Sequence, residues 1–341
     1  MNDPLKNRTC LYNRHRLSHQ QIDRWLGEKR AGEFRQEKLM QLERARLFLQ
    51  VTDKLREHQI DFVCLKGPLL SQRIYGDPTV RISHDIDLLV DLADLEAALN
   101  VFEEDGYTYM YDLRWPKEKF RQELLKNVTH HISLWNRQTN LYVEIHWILM
   151  SNIPLPPQEV REITLQNSTT TLLAGRRFTV LNKELELVFL IIHGTRHGWN
   201  RLKWLTDIRD YPVHDLDTTL FCKLAERFRA ERAIALTNHF LKNHGGTLLP
   251  DLWGKRVPKR MIRFVEQSMA MPVITENLPF KEMAAFVLYS WHLFPGVFYK
   301  RLWLTGLFTR PRDLTTLSLN SKLAYHLYRP WSFIKRRLFH V

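Results

Sequence analysis

Residues 83–90 read SHDIDLLV, and this stretch decides the fold of the chain. Its apolar side chains recur at positions 86, 88 and 90, as in a strand with one buried face. Asp85 and Asp87 fall on the opposite face together with Leu89. The stretch therefore predicts a strand that carries two carboxylates side by side on one face.

A strand-to-helix turn precedes the two aspartates. Residues 60–65 form a short β-type run that Lys66 and Gly67 end. Pro68 follows and suits the first turn of a helix, which would extend to about Tyr75. Backbone N–H groups at a glycine turn and at a helix N-terminus attract phosphate groups. Lys66 and Gly67 are therefore predicted to bind a nucleotide.

A hairpin is predicted downstream. Residues 129–135 and 141–149 are strand-like and are joined by a polar stretch. Glu144 lies in the second strand and supplies a third carboxylate. One of the two histidines His130 and His131 is expected to face the sheet, where it could approach a metal site. The alternative, which the sequence favours, is a half-buried polar residue of the strand.

Three carboxylates on neighbouring strands suit a metal-dependent transfer of a nucleotidyl group. When pyrophosphate is displaced from the α-phosphorus of a triphosphate, charge builds on the attacking and leaving oxygens, and two magnesium ions about 3.5–4 Å apart stabilise both. Magnesium prefers hard oxygen ligands. Asp85, Asp87 and Glu144 are therefore predicted as catalytic residues and metal ligands for Mg²⁺, with Mn²⁺ as the alternative ion. Ser83 is predicted to bind the phosphates.

In these motifs and their order, the chain resembles a family of uncharacterised bacterial nucleotidyltransferases within the DNA polymerase β-like superfamily. The resemblance extends in organisation over about residues 40–300 and is dense in three segments. The matching motifs are FVCLKGP at 62–68, IYGDP at 74–78, DIDLLV at 85–90, EIHW at 144–147 and LKWL at 202–205, with Arg81, Ser83, His193, Gly194, His197, Trp199, Asp207 and Ile208.

The resemblance implies an α+β fold, with a mixed-sheet nucleotidyltransferase core followed by a mainly helical domain. It also implies magnesium-dependent transfer of NMP from an NTP, expected to be ATP, with Asp85 and Asp87 as metal ligands and Glu144 as the third acid. The acceptor is left open among a saccharide, a peptide and an RNA. The chain departs from the wider superfamily at Pro68, where a small residue usually follows the glycine. Because proline lacks an N–H donor, phosphate binding would depend more on Lys66.

The pattern of the chain predicts three regions. An N-terminal helical segment covers 1–58 and includes a capping box that begins at Ser18. An α/β core covers 59–182, and a helical domain with a basic aromatic C-terminus covers 183–341, with Asn182 as the N-cap of its first helix.

The composition is that of a basic globular chain. Among 341 residues, 44% are hydrophobic and 26% charged, and the net charge is +13. A basic surface attracts phosphates, nucleic acid or anionic lipid. Three widely spaced cysteines argue against disulfides and a cysteine-based zinc site. The polar N-terminus does not resemble a secretory signal, and the longest apolar stretch is far shorter than the ~20 residues of a membrane span. We therefore expect a cytoplasmic protein, with peripheral attachment to the inner face of the membrane as an open alternative.

The helical region contributes further candidates. His193 and His197 are four residues apart and share a helix face. They would face the nucleotide or have a structural role. Lys203 would neutralise triphosphate charge or pair with Asp207. His197 and Lys203 are predicted as nucleotide-binding residues.

Residues 296–341 hold nine lysines and arginines against a single acid, with aromatic residues between them. Such a composition suits an anionic membrane surface or single-stranded RNA. It equally suits a helical layer with buried aromatics and solvated cations. The sequence leaves these interpretations open.

Two other functions compete with nucleotidyl transfer. A glycosyltransferase can use a D-x-D motif to hold a metal on a nucleotide sugar. Against it, no nucleotide-binding βαβ half precedes the motif, and only 17 residues separate Gly67 from Asp85. The second alternative is a non-catalytic module that binds RNA or a membrane surface, but the presence of all three acids argues against it. The oligomeric state stays open.

Overall fold

The computed structural model describes residues 4–28, 34–271 and 280–308, together with positions 324, 325, 327, 328, 331 and 335. Seven strands lie in this part of the chain: β1 (Phe62–Cys64), β2 (Asp85–Val90), β3 (Thr108–Tyr109), β4 (His131–Asn136), β5 (Leu141–His146), β6 (Ser168–Leu173) and β7 (Arg176–Leu181). The strands pair both in parallel and in antiparallel fashion. With the helices, they make the α+β fold that was predicted.

Fourteen α-helices lie in the same described residues. They are α1 (Arg8–Asn13), α2 (His19–Leu26), α3 (Arg35–Glu57), α4 (Gly67–Tyr75), α5 (Leu95–Glu104), α6 (Lys119–Lys126), α7 (Pro157–Gln166), α8 (Lys183–Arg196), α9 (Leu202–Arg209), α10 (Thr218–Arg227), α11 (Glu231–Asn243), α12 (Lys259–Ala270), α13 (Phe280–Leu293) and α14 (Val297–Phe308). None of these helices has the length and apolar character needed to span a bilayer.

The chain divides into two compact units. The first unit comprises Met1–Val51, Cys64–His84 and Gln166–Pro295, and the second comprises Thr52–Val63, Asp85–Leu165 and Gly296–Val341. Beyond α14, the basic C-terminal segment lies outside the described residues apart from the six single positions given above. The three interpretations of this segment, a membrane-binding surface, an RNA-binding surface and a helical layer with solvated cations, therefore stay untested.

The second unit contains strands in the order β3-β4-β5-β2. Strand β5 runs parallel to β2 and antiparallel to β4. The apolar residues at alternate positions, among them Leu88, Val143 and Ile145, are fully buried, and α5 packs against β5. The predicted hairpin and the predicted two-aspartate strand are both confirmed.

The first unit contains the hairpin of β6 and β7, and Cys64 at the end of β1 pairs in parallel with Val180 of β7. Strand β6 was not predicted from the sequence. The sequence STTTLL of β6 is largely exposed and lacks apolar alternation. Its three consecutive threonines favour extended backbone through their β-branched side chains, a weaker signal than periodicity.

Helix α8 is the centre of the helical part of the first unit. The side chain of Asn182 accepts a hydrogen bond from the backbone N–H of Leu185, so the predicted N-cap is confirmed. The helix is buried on nearly all sides because α9, α10 and α11 pack around it. The capping box at Ser18 is also present, with reciprocal bonds between Ser18 and Gln21.

Candidate active site

The parallel register of β2 and β5 places the predicted carboxylates beside one another. Asp87 is the direct partner of Glu144, and Asp85 is the partner of Tyr142. Because alternate residues of a strand share a face, Asp85 lies on the same face as Asp87. Asp87 is 3% exposed, whereas Asp85 and Glu144 are half-buried. All three carboxylates belong to the second unit, where Asp87, Glu144 and His146 have ligand atoms within 4.8 Å of one another, a group that does not include Asp85.

His146, the last residue of β5, lies against two of these carboxylates. Its Nε2 atom is 3.3 Å from Oδ1 of Asp87 and 3.5 Å from Oε2 of Glu144. Burial lowers the pKa of His146, but hydrogen bonds and attraction to Asp87 and Glu144 outweigh it, so that the pKa is raised. The contacts with Asp87 and Glu144 thus favour the imidazolium form of His146.

Glu144 contacts a second histidine. Nε2 of His131 lies 3.8 Å from Oε2 of Glu144. Burial alone would raise the pKa of Glu144, but His131 and His146 together lower it below its ordinary value. Glu144 is therefore ionised at neutral pH, where it can act as a metal ligand or accept a proton.

The donor set fits a divalent cation. One ligand atom each of Asp87, Glu144 and His146 lies within 4.8 Å of the other two. Both carboxylates contact the same atom, Nε2 of His146. Carboxylate oxygens are the ligands that magnesium prefers, and magnesium usually keeps several waters besides one or two of them. Asp85, Asp87 and Glu144 are therefore chemically suited to hold magnesium.

The Lys66-Gly67 turn leads from β1 into α4 in the first unit. Gly67 has a φ of +72°, in the left-handed region that favours glycine, and no described atom would lie within 4 Å of a Cβ added there. Lys66 lines a cavity of about 170 Å³ together with Arg73 and Thr171. A Cβ would thus meet no clash among the described residues at the start of α4, although Gly67 and Pro68 are themselves buried.

Ser83 is buried in the first unit by a hydrogen-bonded network. Its hydroxyl oxygen accepts from Nη1 of Arg81 at 3.1 Å, and its backbone N–H donates to Oε1 of Gln41 at 3.2 Å. Nε of Arg81 lies 2.9 Å from Oδ2 of the equally buried Asp207. These bonds fix the segment that leads into Asp85.

Four cationic side chains surround His84. Partial burial lowers the pKa of His84 to about 3, and the positive charges that add to this effect are those of Arg16, Lys203, Arg44 and Arg201. The imidazole is therefore neutral, and the local charge favours an anion. Lys203 was predicted from the sequence. Arg16 and Arg44 were missed because they are distant from Lys203 along the chain, whereas Arg201, two residues before Lys203, was assigned no role.

His197 belongs to a ring cluster in the first unit. The ring centroids of His193 and His197 are 4.8 Å apart, and each lies 5.0 Å from that of Trp204. His197 is exposed and the other two rings are half-buried, so the cluster presents ring surface suited to stacking. Trp199, in contrast, is fully buried against Gly194 and belongs to the core.

The paired strand carboxylates define a candidate metal-dependent enzyme. The sequence profile of a family described as "uncharacterised nucleotidyltransferase" matches residues 9–245, more than half of the chain. The chain therefore belongs to this family of nucleotidyltransferases, which confirms the resemblance drawn from its motifs. No curated protein matches the chain.

Among solved structures, the chain is similar to the crystal structure of an antigenic nucleotidyltransferase-like protein from Paracoccidioides brasiliensis. The sequences are 16% identical, and the match covers 54% of this chain and 88% of that chain with a TM-score of 0.31.

Proposed function

We propose that this enzyme is a magnesium-dependent nucleotidyltransferase that moves NMP from an NTP, with ATP as the expected donor, to a hydroxyl or phosphate acceptor. The observation that carries the proposal is the direct pairing of Asp87 with Glu144, with Asp85 on the same strand face as Asp87. Membership in the nucleotidyltransferase family supports the reaction class.

In the proposed reaction, Asp85, Asp87 and Glu144 hold two magnesium or manganese ions, which would stabilise the charge on the attacking and leaving oxygens. Glu144 takes the proton of the acceptor hydroxyl as the acceptor oxygen bonds to the α-phosphorus. The bond from the α-phosphorus to the bridging oxygen of the β-phosphate breaks, and pyrophosphate leaves. The lowered pKa of Glu144 supports this role because the carboxylate is ionised before the transfer.

The nucleotide-binding residues proposed are Lys66, Gly67, Ser83, Lys203 and His197. The left-handed turn at Gly67, where no Cβ limits the approach of a ligand, supports backbone contacts to phosphate, and the positive charge around Lys203 supports attraction of the triphosphate. The hydroxyl oxygen of Ser83 accepts from Arg81, so its hydroxyl hydrogen is the group proposed to donate to phosphate. The rings around His197 support stacking on a base.

The proposed acceptor is a saccharide, a peptide or an RNA. The net charge of +13 favours an anionic acceptor or surface. Cytoplasmic location, where triphosphates are abundant, and peripheral attachment to the inner face of the membrane are part of the same proposal.

Thermal unfolding with each of the four NTPs, with and without Mg²⁺, tests the proposal without knowledge of the acceptor. A ligand that binds only the native state stabilises it by about 2.7 kcal/mol at 100 times its Kd. We expect a magnesium-dependent rise in Tm with at least one NTP. The rise should be reduced in Asp85→Asn and kept in the control Asp215→Asn, which changes an exposed carboxylate paired with Lys183.

The outcomes of this experiment separate the candidate functions. No shift with any NTP and Mg²⁺ would contradict nucleotidyl transfer. A metal-dependent shift with nucleotide sugars alone would favour a glycosyltransferase. Binding of RNA or anionic vesicles without any nucleotide effect would favour a non-catalytic module.

A further inference from the structure

Three histidines gather at one end of the β4–β5 hairpin in the second unit. His130 directly precedes β4, His131 is the first residue of β4, and the antiparallel register pairs His131 with His146. The ring centroid of His130 lies 4.7 Å from that of His131 and 5.3 Å from that of His146. The centroids of His131 and His146 are 4.9 Å apart. One nitrogen of each ring lies within 4.8 Å of a nitrogen of the other two. The hairpin therefore concentrates imidazole donors at one place.

The histidine cluster (His130, His131 and His146) borders a carboxylate. Oε2 of Glu144 lies 3.8 Å from Nε2 of His131 and 3.5 Å from Nε2 of His146. The three imidazoles of the cluster form a donor set typical of zinc and related transition metals, which bind imidazole well, whereas magnesium prefers oxygen ligands such as this carboxylate.

An outer hydrogen bond orients one ring of the cluster. Oγ of Ser151 lies 2.9 Å from Nδ1 of His130. Histidines that bind metals usually use their second ring nitrogen in such a bond, which fixes the orientation and the tautomer of the ring. The bond to Ser151 leaves Nε2 of His130 as the nitrogen that can bind a metal ion.

His146 carries a buried polar atom that the described residues do not satisfy. Its side chain is 4% exposed, and its Nδ1 atom has no hydrogen-bond partner among them. Leaving a buried donor or acceptor unsatisfied costs about 1–3 kcal/mol. A ligand that the structure does not contain would account for this arrangement.

We propose that His130, His131 and His146 bind a divalent transition-metal ion of the zinc class, with the fourth position left to water or substrate. Tetrahedral zinc with Zn–N distances of 2.0–2.1 Å places its ligand atoms about 3.4 Å apart. Small side-chain rotations from within 4.8 Å reach this separation. The site goes beyond the proposed magnesium-dependent transfer and borders its carboxylates.

The full chain, stripped with a chelator and titrated with Co²⁺ alone, tests this site. Four-coordinate Co²⁺ absorbs visible light far more strongly than the hydrated ion. We expect one strongly absorbing Co²⁺ per chain, displaced by Zn²⁺ and not by excess Mg²⁺. Ser151→Ala should weaken the affinity roughly 10–100-fold, and His131→Gln should weaken it further. The control His214→Gln changes a histidine whose side chain is 78% exposed and should leave the affinity unchanged.

Absence of a four-coordinate Co²⁺ spectrum, or wild-type affinity in both Ser151→Ala and His131→Gln, would overturn the proposal. Thermal unfolding of each stripped variant establishes that it is folded. If His131→Gln does not fold, the Ser151→Ala titration decides. The Co²⁺ titration contains no nucleotide, so its result does not depend on NTP binding. If the chain binds no NTP, the proposed nucleotidyl transfer is contradicted but the histidine site is not.

Discussion

The ion pair between Arg81 and Asp207 is buried almost completely in the first unit. Nε of Arg81 lies 3.0 and 2.9 Å from the two carboxylate oxygens of Asp207, and the two side chains are 2% and 0% exposed. Burial raises the pKa of Asp207, although Arg81 and Lys203 oppose the shift. The desolvation cost of Asp207 is therefore larger than its attraction to Arg81. We expect the intact pair to add little to the free energy of unfolding, and the loss of either partner alone to be costly.

Asp207→Asn keeps the size of the side chain and removes its charge. Removing one partner of a buried pair costs about 3–5 kcal/mol because the other charge stays buried without compensation. We expect a loss in this range, since Lys203 adds further positive charge near the same place. The double variant Arg81→Met, Asp207→Leu should recover part of the loss because it removes both charges of the pair, whereas the buried charge of Lys203 stays.

Urea unfolding measures these free energies, and unchanged m-values would show that the same surface is exposed on unfolding. Asp215→Asn is the matched control, because it breaks an exposed pair worth at most about 1 kcal/mol. The reasoning is refuted if Asp207→Asn is no more destabilising than this control, or if the double variant is as unstable as the single one.

Three further substitutions give expected changes in the free energy of unfolding. Burial raises the pKa of Glu37 to about 7, against the hydrogen bond from the N–H of His19, so the folded state holds a proton that the unfolded state releases above pH 4.5. Native stability should therefore fall between pH 4.5 and 7, and Glu37→Gln should remove up to about 3 kcal/mol of that fall in urea titrations at each pH. Gly67→Ala should lower the free energy of unfolding by about 1–2 kcal/mol, because alanine is strained at the positive φ of this position. Urea unfolding at one pH measures the change, and an unchanged free energy would contradict the expected strain. Asn182→Ala should cost about 0.5–2 kcal/mol through loss of the cap on Leu185, whereas Asn182→Asp should keep most of it.

Sequence periodicity was enough to predict the elements that carry the carboxylates. The alternation around Asp85 and Asp87, and the hairpin around Glu144, depend on short-range patterns that the strands reproduce. Helix starts at Ser18 and Asn182 were also predictable, because a cap is a local hydrogen bond. The polar strand β6 was missed because a largely exposed strand needs no apolar alternation.

Contacts between distant parts of the sequence were not predictable in the same way. The pairing of His131 with His146 depends on the register of β4 and β5. A shift of that register by one residue would turn the side chains of a strand to the opposite face. The grouping of Arg16 and Arg44 near His84 depends on how α3 and the segment after α1 pack in the first unit. The pattern of a single sequence does not predict either of these contacts.

Transfer of radiolabel from an NTP tests the proposed chemistry of Asp85, Asp87 and Glu144 most directly. NTPs labelled at the α- or the γ-phosphate are incubated with Mg²⁺, the enzyme and fractions of polysaccharide, peptide or RNA. Nucleotidyl transfer predicts that the α-label enters an acceptor and the γ-label leaves as pyrophosphate, and that Asp85→Asn, Asp87→Asn and Glu144→Gln each abolish the transfer while remaining folded. Incorporation of the γ-label, or undiminished transfer by the three variants, would contradict it.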